Sequence, residues 1–197
     1  MNRRELGYRA SEVAKAARVL PSTVRYWAGG WSGRLIRPDI EDKRLAGSRK
    51  LFSARNIVQV RIAQVLLQAG FTRARVAKIL TRRWPRAGGA DWFDPLHPLG
   101  LEYALMVIRE PPPRSTGEAF MSGDDLKPEA RRSWLEAMVG AAGPDFELLR
   151  VDFPDGWRPQ VQPRLPEDAA QCGELTGARV IWLLNVKKLR DEIRKRL

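Results

Sequence analysis

Cysteine and histidine are nearly absent from the 197-residue sequence, which contains one of each, Cys172 and His97. A single cysteine cannot form an internal disulfide, and it cannot supply the several thiolates of a structural metal site. His97 stands between Pro95 and Pro98, where we expect a loop, and a lone histidine without an orienting partner is a poor general base. These scarcities favour a reducing, cytoplasmic compartment and argue against thiol or histidine catalysis.

Long hydrophobic runs and phosphate-binding loops are also missing. Apolar runs such as residues 104–108 and 180–184 are far shorter than the roughly 20 residues that a membrane-spanning helix needs. The first residues lead into no apolar stretch of the kind that a secretory signal contains. No segment matches the glycine-rich loops that hold nucleotide phosphates. We therefore expect no membrane association, no cofactor, no metal site and no enzymatic activity.

Acidic residues are scarce in the first part of the chain. Residues 1–86 contain 20 Lys and Arg but only 5 Asp and Glu, a net charge of +15, whereas residues 87–197 have a net charge of −3. A general need for solubility would not concentrate the positive charge in this way. A basic segment raises the local concentration of a polyanion, so the pattern indicates a nucleic acid as partner. A membrane surface is less favoured, because the segment lacks a long amphipathic helix.

Two short helices separated by a tight break are predicted within the basic segment. Ser11 is a suitable N-cap for the first helix. After the break at residues 18–20, Pro21 suits the first position of a second helix, and Gly29 and Gly30 end it. Two short helices about a tight turn are typical of a helix-turn-helix, in which the second helix enters the major groove of duplex DNA.

The second helix has one apolar and one polar side. Val24 and Trp27 are three residues apart and are expected to face the core. The residues expected to contact DNA lie around them: Ser22, Thr23, Arg25 and Tyr26. We favour phosphate contact for Arg25 over a solvated charge, because arginine and lysine supply most phosphate contacts in such interfaces. For Tyr26, packing and DNA contact both remain open.

Residues 31–52 predict a β-hairpin with basic residues near its tip. Four cations crowd the middle of this segment: Lys43, Arg44, Arg49 and Lys50. Beside a DNA-binding helix, such a hairpin (a wing) can hold phosphates or reach the minor groove. A solvated hairpin tip is the alternative interpretation.

Two more helices and a linker complete the first predicted domain. Ser53 is expected to cap a helix with an apolar stripe that ends at Gly70, and Thr72 to cap a further helix. Proline and glycine then accumulate in residues 85–90, which we predict to be a linker. The domain at residues 1–84 is therefore expected to be a mostly helical winged helix-turn-helix.

Residues 91–197 predict a small α+β domain for assembly, partner binding or ligand binding. Residues 146–153 and 179–185 are strand-like, residues 128–139 are helical in pattern, and residues 101–108 fit either a strand or a short buried helix. Asn185 is expected to cap a last helix. The predicted fold class of the whole chain is thus α+β.

Several spaced segments of the first domain resemble MerR-type winged-helix regulators. They are residues 8–17 (YRASEVAKAA), 21–27 (PSTVRYW), 49–53 (RKLFS) and 68–72 (QAGFT), in the family's order, and the resemblance covers about residues 6–82. It implies a DNA-binding domain in which Thr23, Arg25 and Tyr26 occupy positions that typically meet the DNA. It also implies that Arg49 and Lys50 lie where the wing grips the backbone.

The chain departs from that family pattern at the turn and downstream. The family usually has glycine where Arg18 stands and a serine-like cap where Leu20 stands. The family also usually continues into a long helix that pairs in a dimer, whereas Pro85, Gly88 and Gly89 interrupt any helix of that kind. The sequence therefore does not predict the usual dimer.

We predict a sequence-specific duplex-DNA-binding protein, a transcriptional regulator located in the cytoplasm and associated with the nucleoid. One alternative is a phage-type excisionase or another architectural DNA-binding factor. Another is an antitoxin with a DNA-binding head and a toxin-binding C-terminal domain. Residues 91–197 are the expected contact for a second copy or another protein.

Overall fold

The computed structural model describes residues 7–29, 34–42, 49–81, 93–96, 104–109, 118–122, 145–152 and 180–197. The chain divides into two units, one formed by Met1–Leu99 with Leu189–Leu197 and one by Gly100–Lys188. The predicted linker at residues 85–90 lies outside the described residues. Residues 91–99 and Leu189–Leu197, which the sequence predicts as part of the second domain, group with the first unit.

The first unit begins with helices α1 (Ala10–Ala17) and α2 (Pro21–Gly29). Because α1 starts at Ala10, Ser11 lies inside its first turn, and the expectation that Ser11 is the N-cap was wrong. The Glu12 carboxylate instead accepts a hydrogen bond of 2.7 Å from the backbone N–H of Arg9. A carboxylate at this position stabilises the helix start from within the first turn.

The turn between α1 and α2 places Arg18 in the left-handed conformation, with φ 58° and ψ 45°. The side-chain amide of Gln64 donates a 3.2 Å hydrogen bond to the Arg18 carbonyl oxygen. A left-handed backbone is unfavourable by about 1–2 kcal/mol for a residue with a Cβ atom. Arg18 therefore occupies a backbone position that would suit glycine.

A two-stranded antiparallel sheet, β1 (Ile40–Asp42) and β2 (Arg49–Leu51), lies within the segment predicted to form a hairpin. Next to it, Tyr8 and Phe52 form an antiparallel bridge, with N–H···O distances of 2.7 and 2.9 Å. Gly7 precedes this bridge at φ 67°, and a Cβ atom there would lie 2.7 Å from Leu51 Cβ. The close approach of the two chain segments therefore requires glycine.

Helices α3 (Ala54–Gln68) and α4 (Arg73–Thr81) complete the helical part of the first unit. The cap predicted at Ser53 is confirmed: its Oγ accepts a 3.3 Å hydrogen bond from the Asn56 N–H. Ser53 Oγ also donates to the Asp39 carboxylate at 2.7 Å. The residues of α3 that are fully buried form the centre of the core: Ile57, Val58, Val60, Ile62, Ala63 and Leu66.

The second unit contains a four-stranded antiparallel sheet in the order β4-β3-β6-β5. Its strands are β3 (Ala104–Arg109), β4 (Glu118–Ser122), β5 (Leu148–Asp152) and β6 (Val180–Asn185). Residues 101–108 were consistent with a strand or a short buried helix, and strand β3 shows that the strand interpretation is correct for residues 104–108. The helix predicted at residues 128–139 lies outside the described residues.

Helix α5 (Val186–Arg194) follows β6 directly. The Asn185 side-chain oxygen accepts a 3.0 Å hydrogen bond from the Lys188 N–H, the capping role that the sequence predicts. The Lys188 ammonium lies 2.7 Å from the Asp145 carboxylate, and its hydrogen bond and charge hold the pKa of Asp145 below its usual value. In the described part of the chain, no helix is long and apolar enough to cross a membrane.

Candidate nucleic-acid interface

Helix α2 presents a polar, exposed face and an opposite face that is buried. Ser22, Arg25 and Tyr26 are exposed, whereas Val24 is fully buried and Trp27 is 7% exposed. Thr23 is half-buried at the edge between the two faces. The helical period produces this division, because residues three apart lie on the same side. Apolar anchors on one side and an accessible polar side are what a groove-reading helix requires.

Backbone hydrogen bonds fix α2 at both ends. At its start, the Leu20 carbonyl accepts hydrogen bonds from the N–H groups of Thr23 (3.0 Å) and Val24 (3.2 Å). At its end, the Trp27 carbonyl accepts hydrogen bonds from Leu35 (3.0 Å) and Ile36 (3.2 Å), whose side chains are buried. Leu20 itself is 69% exposed and has no capping group. The segment leading to β1 therefore holds the C-terminal end of α2 in place.

Tyr26 is both packed and accessible. The Arg73 guanidinium, at the first position of α4, lies 4.3 Å from the centroid of the Tyr26 ring. The tyrosine nevertheless remains 57% exposed. Packing and DNA contact, the two roles that the sequence left open for Tyr26, are therefore compatible. No sequence pattern pointed to Arg73, because its contact joins residues that are distant along the chain.

The residues predicted in the wing are described only in part. The backbones of Arg49 and Lys50 lie in β2, paired in register with Asp42 and Glu41 respectively. Lys43 and Arg44 lie outside the described residues. The structure therefore brings two of these four positions into the small sheet that precedes α3.

Positive charge dominates the accessible surface of the first unit. Among its side chains that the structure describes, the exposed acidic residues are Glu12 and Asp39. Both accept hydrogen bonds at helix starts, Glu12 from Arg9 and Asp39 from Ser53. The exposed cations are Arg9, Lys15, Arg18, Arg25, Arg34, Arg37, Lys78, Arg194 and Lys195. Such a surface attracts a polyanion.

Acidic, histidine and cysteine side chains are the usual ligands of protein-bound metal ions. The described ranges contain no group of three or more such residues that could hold a metal ion. His97 and Cys172 lie outside those ranges. The chemistry that the described surface offers is therefore that of cations, hydroxyls and an aromatic ring.

Comparison with known proteins identifies part of the first unit. Residues 8–83 match the family model described as MerR HTH family regulatory protein. No curated protein and no solved structure matches the chain. The matched range spans α1 to α4 and agrees with the range of the resemblance, about residues 6–82, so that prediction is confirmed. Residues 8–83 are thus a MerR-type helix-turn-helix domain, the DNA-binding domain of a family of transcriptional regulators.

Proposed function

We propose that this protein regulates transcription by binding specific sequences of double-stranded DNA through its MerR-type domain. The observation that carries the proposal is the division of α2, which exposes Ser22, Arg25 and Tyr26 and buries Val24 and Trp27. A helix anchored in this way keeps its outer side chains in a fixed geometry, and a fixed geometry is what base reading needs.

In the proposed complex, α2 lies in the major groove. Arg25 donates to a phosphate or to the O6 and N7 acceptors of guanine. Ser22 and Thr23, near the N-terminal end of the helix, hydrogen-bond base edges or phosphates. Tyr26, held by Arg73, contributes a rigid amphipathic ring. Helix α1 braces this arrangement against the sugar-phosphate backbone.

The hairpin cations complete the proposed interface. Lys43, Arg44, Arg49 and Lys50 act as a wing that neutralises backbone phosphates beside the groove. These contacts read no sequence, but they strengthen binding and make it depend on salt. The wing therefore supplies affinity, and α2 supplies specificity.

The second unit, Gly100–Lys188, has a supporting role in the proposal. We assign it to assembly with a second copy, to a protein partner or to a ligand, with no catalytic step. A regulator acts where the chromosome lies, so we place the protein in the cytoplasm at the nucleoid. Its DNA sites follow from the experiment below.

The test is selection of bound sites from a random duplex library with the whole chain, at two salt concentrations. We expect an enriched motif, and we expect Arg25→Ala to weaken binding to it by about 1–3 kcal/mol. Arg150→Ala removes an exposed arginine from the second unit and serves as the matched control. Salt-sensitive binding without any motif would replace regulation with an architectural role. Absence of binding at both salt concentrations would refute DNA recognition by this domain.

A further inference from the structure

The last residues of the described chain are built into the DNA-binding unit. Leu189 and Ile193 are fully buried, and Leu189–Leu197 group with the first unit. The Arg196 guanidinium donates a 2.7 Å hydrogen bond to the carbonyl oxygen of Ala16, near the end of α1. The Arg196 hydrogen bond joins this segment to α1, and the burial of Leu189 and Ile193 places its apolar side chains out of solvent.

The cations of this segment form two groups, one that makes contacts within the first unit and one that is exposed to solvent. Arg190 is 3% exposed and donates to the Asp94 carbonyl, and Arg196 pairs with Glu192 at 3.1 Å as well as bonding Ala16. Arg194 and Lys195, by contrast, are exposed. The inward cations hold the segment in place, and the outward cations remain accessible to a partner.

The exposed pair is adjacent in sequence to Arg196, whose side chain reaches the end of α1. Neighbouring Cα atoms are about 3.8 Å apart, so the Cα atoms of Arg194 and Lys195 lie within about 8 Å of the Cα atom of Arg196, whose guanidinium contacts Ala16. Lys15, in the last turn of α1, and Arg18, in the turn itself, are also exposed. We call Lys15, Arg18, Arg194 and Lys195 the C-terminal basic cluster.

We propose that Arg194 and Lys195 bind phosphates of the duplex beside the site of α2, as a second backbone clamp in addition to the wing. The inference rests on the proposed function, because it assumes that α2 occupies the major groove. In that geometry the first helix of the pair crosses the backbone, and the last turn of that helix carries Lys15 and receives the Arg196 hydrogen bond at Ala16. Four accessible cations from two distant parts of the chain match a polyphosphate backbone.

A purely structural role makes a different prediction. Arg194 and Lys195 stand at the C-terminal end of α5, where positive charge stabilises a helix through its dipole. Such a role would lower thermal stability upon substitution without changing how DNA binding responds to salt. The salt dependence of binding therefore separates the two roles.

The experiment measures the affinity of the whole chain for a mixed-sequence duplex of about three helical turns, over a series of NaCl concentrations. We expect the Arg194→Ala, Lys195→Ala double variant to bind about tenfold more weakly at low salt. The slope of log affinity against log salt should shrink by about 1.8, because each phosphate contact contributes about 0.9. Arg194→Lys with Lys195→Arg should retain wild-type binding. The matched control, Arg150→Ala with Lys187→Ala, removes the same charge from the second unit.

Each result decides the question. A reduced slope confined to the Arg194, Lys195 variant supports the clamp. An unchanged slope, or an equal loss in the control variant, overturns the clamp and leaves DNA binding intact. Failure of the wild-type chain to bind any duplex overturns the proposed function itself, and the clamp with it. Melting temperatures measured on the same samples show whether the alanine double variant has lost its fold. If it has, the Arg194→Lys, Lys195→Arg variant, which keeps both charges, provides the second measurement.

Discussion

The guanidinium of Arg73 stacks on the ring of Tyr26, 4.3 Å from its centroid, and so joins the first residue of α4 to the exposed face of α2. A cation over an aromatic ring at a partly exposed site contributes about 0.5–1 kcal/mol. The contact restricts a side chain that would otherwise sample several rotamers. We therefore treat Arg73 as a positioning residue for Tyr26.

A double-mutant cycle of Arg73→Ala and Tyr26→Ala should show a coupling of about 0.5–1 kcal/mol in the free energy of unfolding. Arg75→Ala is the matched control, because Arg75 lies in the same helix over a different ring, Phe71, at 4.6 Å from its centroid. Urea denaturation of the four variants and the control measures the coupling. Additive effects for Arg73 and Tyr26 would contradict a positioning role.

Arg18→Gly should stabilise the protein by up to about 1 kcal/mol. The substitution relieves the left-handed strain at φ 58°, although glycine also increases the entropy of the unfolded chain. Arg18→Ala is the control, because alanine removes the charge and keeps the strain. Equal stability of the glycine and alanine variants in denaturant titrations would show that the turn is not strained.

Leu20→Ser should stabilise α2 by about 1 kcal/mol, because serine can accept a hydrogen bond at the helix start where leucine cannot. The 69% exposure of Leu20 means that little buried apolar contact is lost. Leu20→Ala separates the gain of a cap from the loss of the leucine side chain. Thermal unfolding of the serine and alanine variants should differ, and identical curves would exclude a capping effect.

Gly7→Ala should destabilise the first unit by about 2 kcal/mol or more. The new methyl group would lie 2.7 Å from Leu51 Cβ, and the backbone would be held at φ 67°. Gly29→Ala is the matched control, because a Cβ atom at Gly29 has no atom within 4 Å. A loss of stability of the same size in both variants would contradict the close contact between Gly7 and Leu51.

The faces of α2 were predictable because local spacing determines them. Val24 and Trp27 are three residues apart, and a helix places such residues on one side. The cap at Ser53 was predictable for a similar reason, since its partner Asn56 lies within the same turn. Ser11 was misassigned because Glu12, one residue later, stabilises a helix start that lies further upstream.

Long-range contacts were not predictable in this way. Arg73 and Tyr26 meet only when α4 packs near α2, and no periodic pattern records that packing. Leu189 and Ile193 have the spacing of an apolar helix face, but the spacing does not name the surface that they cover. Strand β4 at Glu118–Ser122 was missed because its short segment has neither a regular alternation nor turn residues that mark both ends.

The hydrogen bond between Arg196 and Ala16 joins residues that are 180 positions apart. A ribosome adds about 5–20 residues per second, so roughly 10–35 s separate the synthesis of the two partners. The contact that Arg196 makes with α1 therefore forms only after all of Met1–Leu99 has been synthesised.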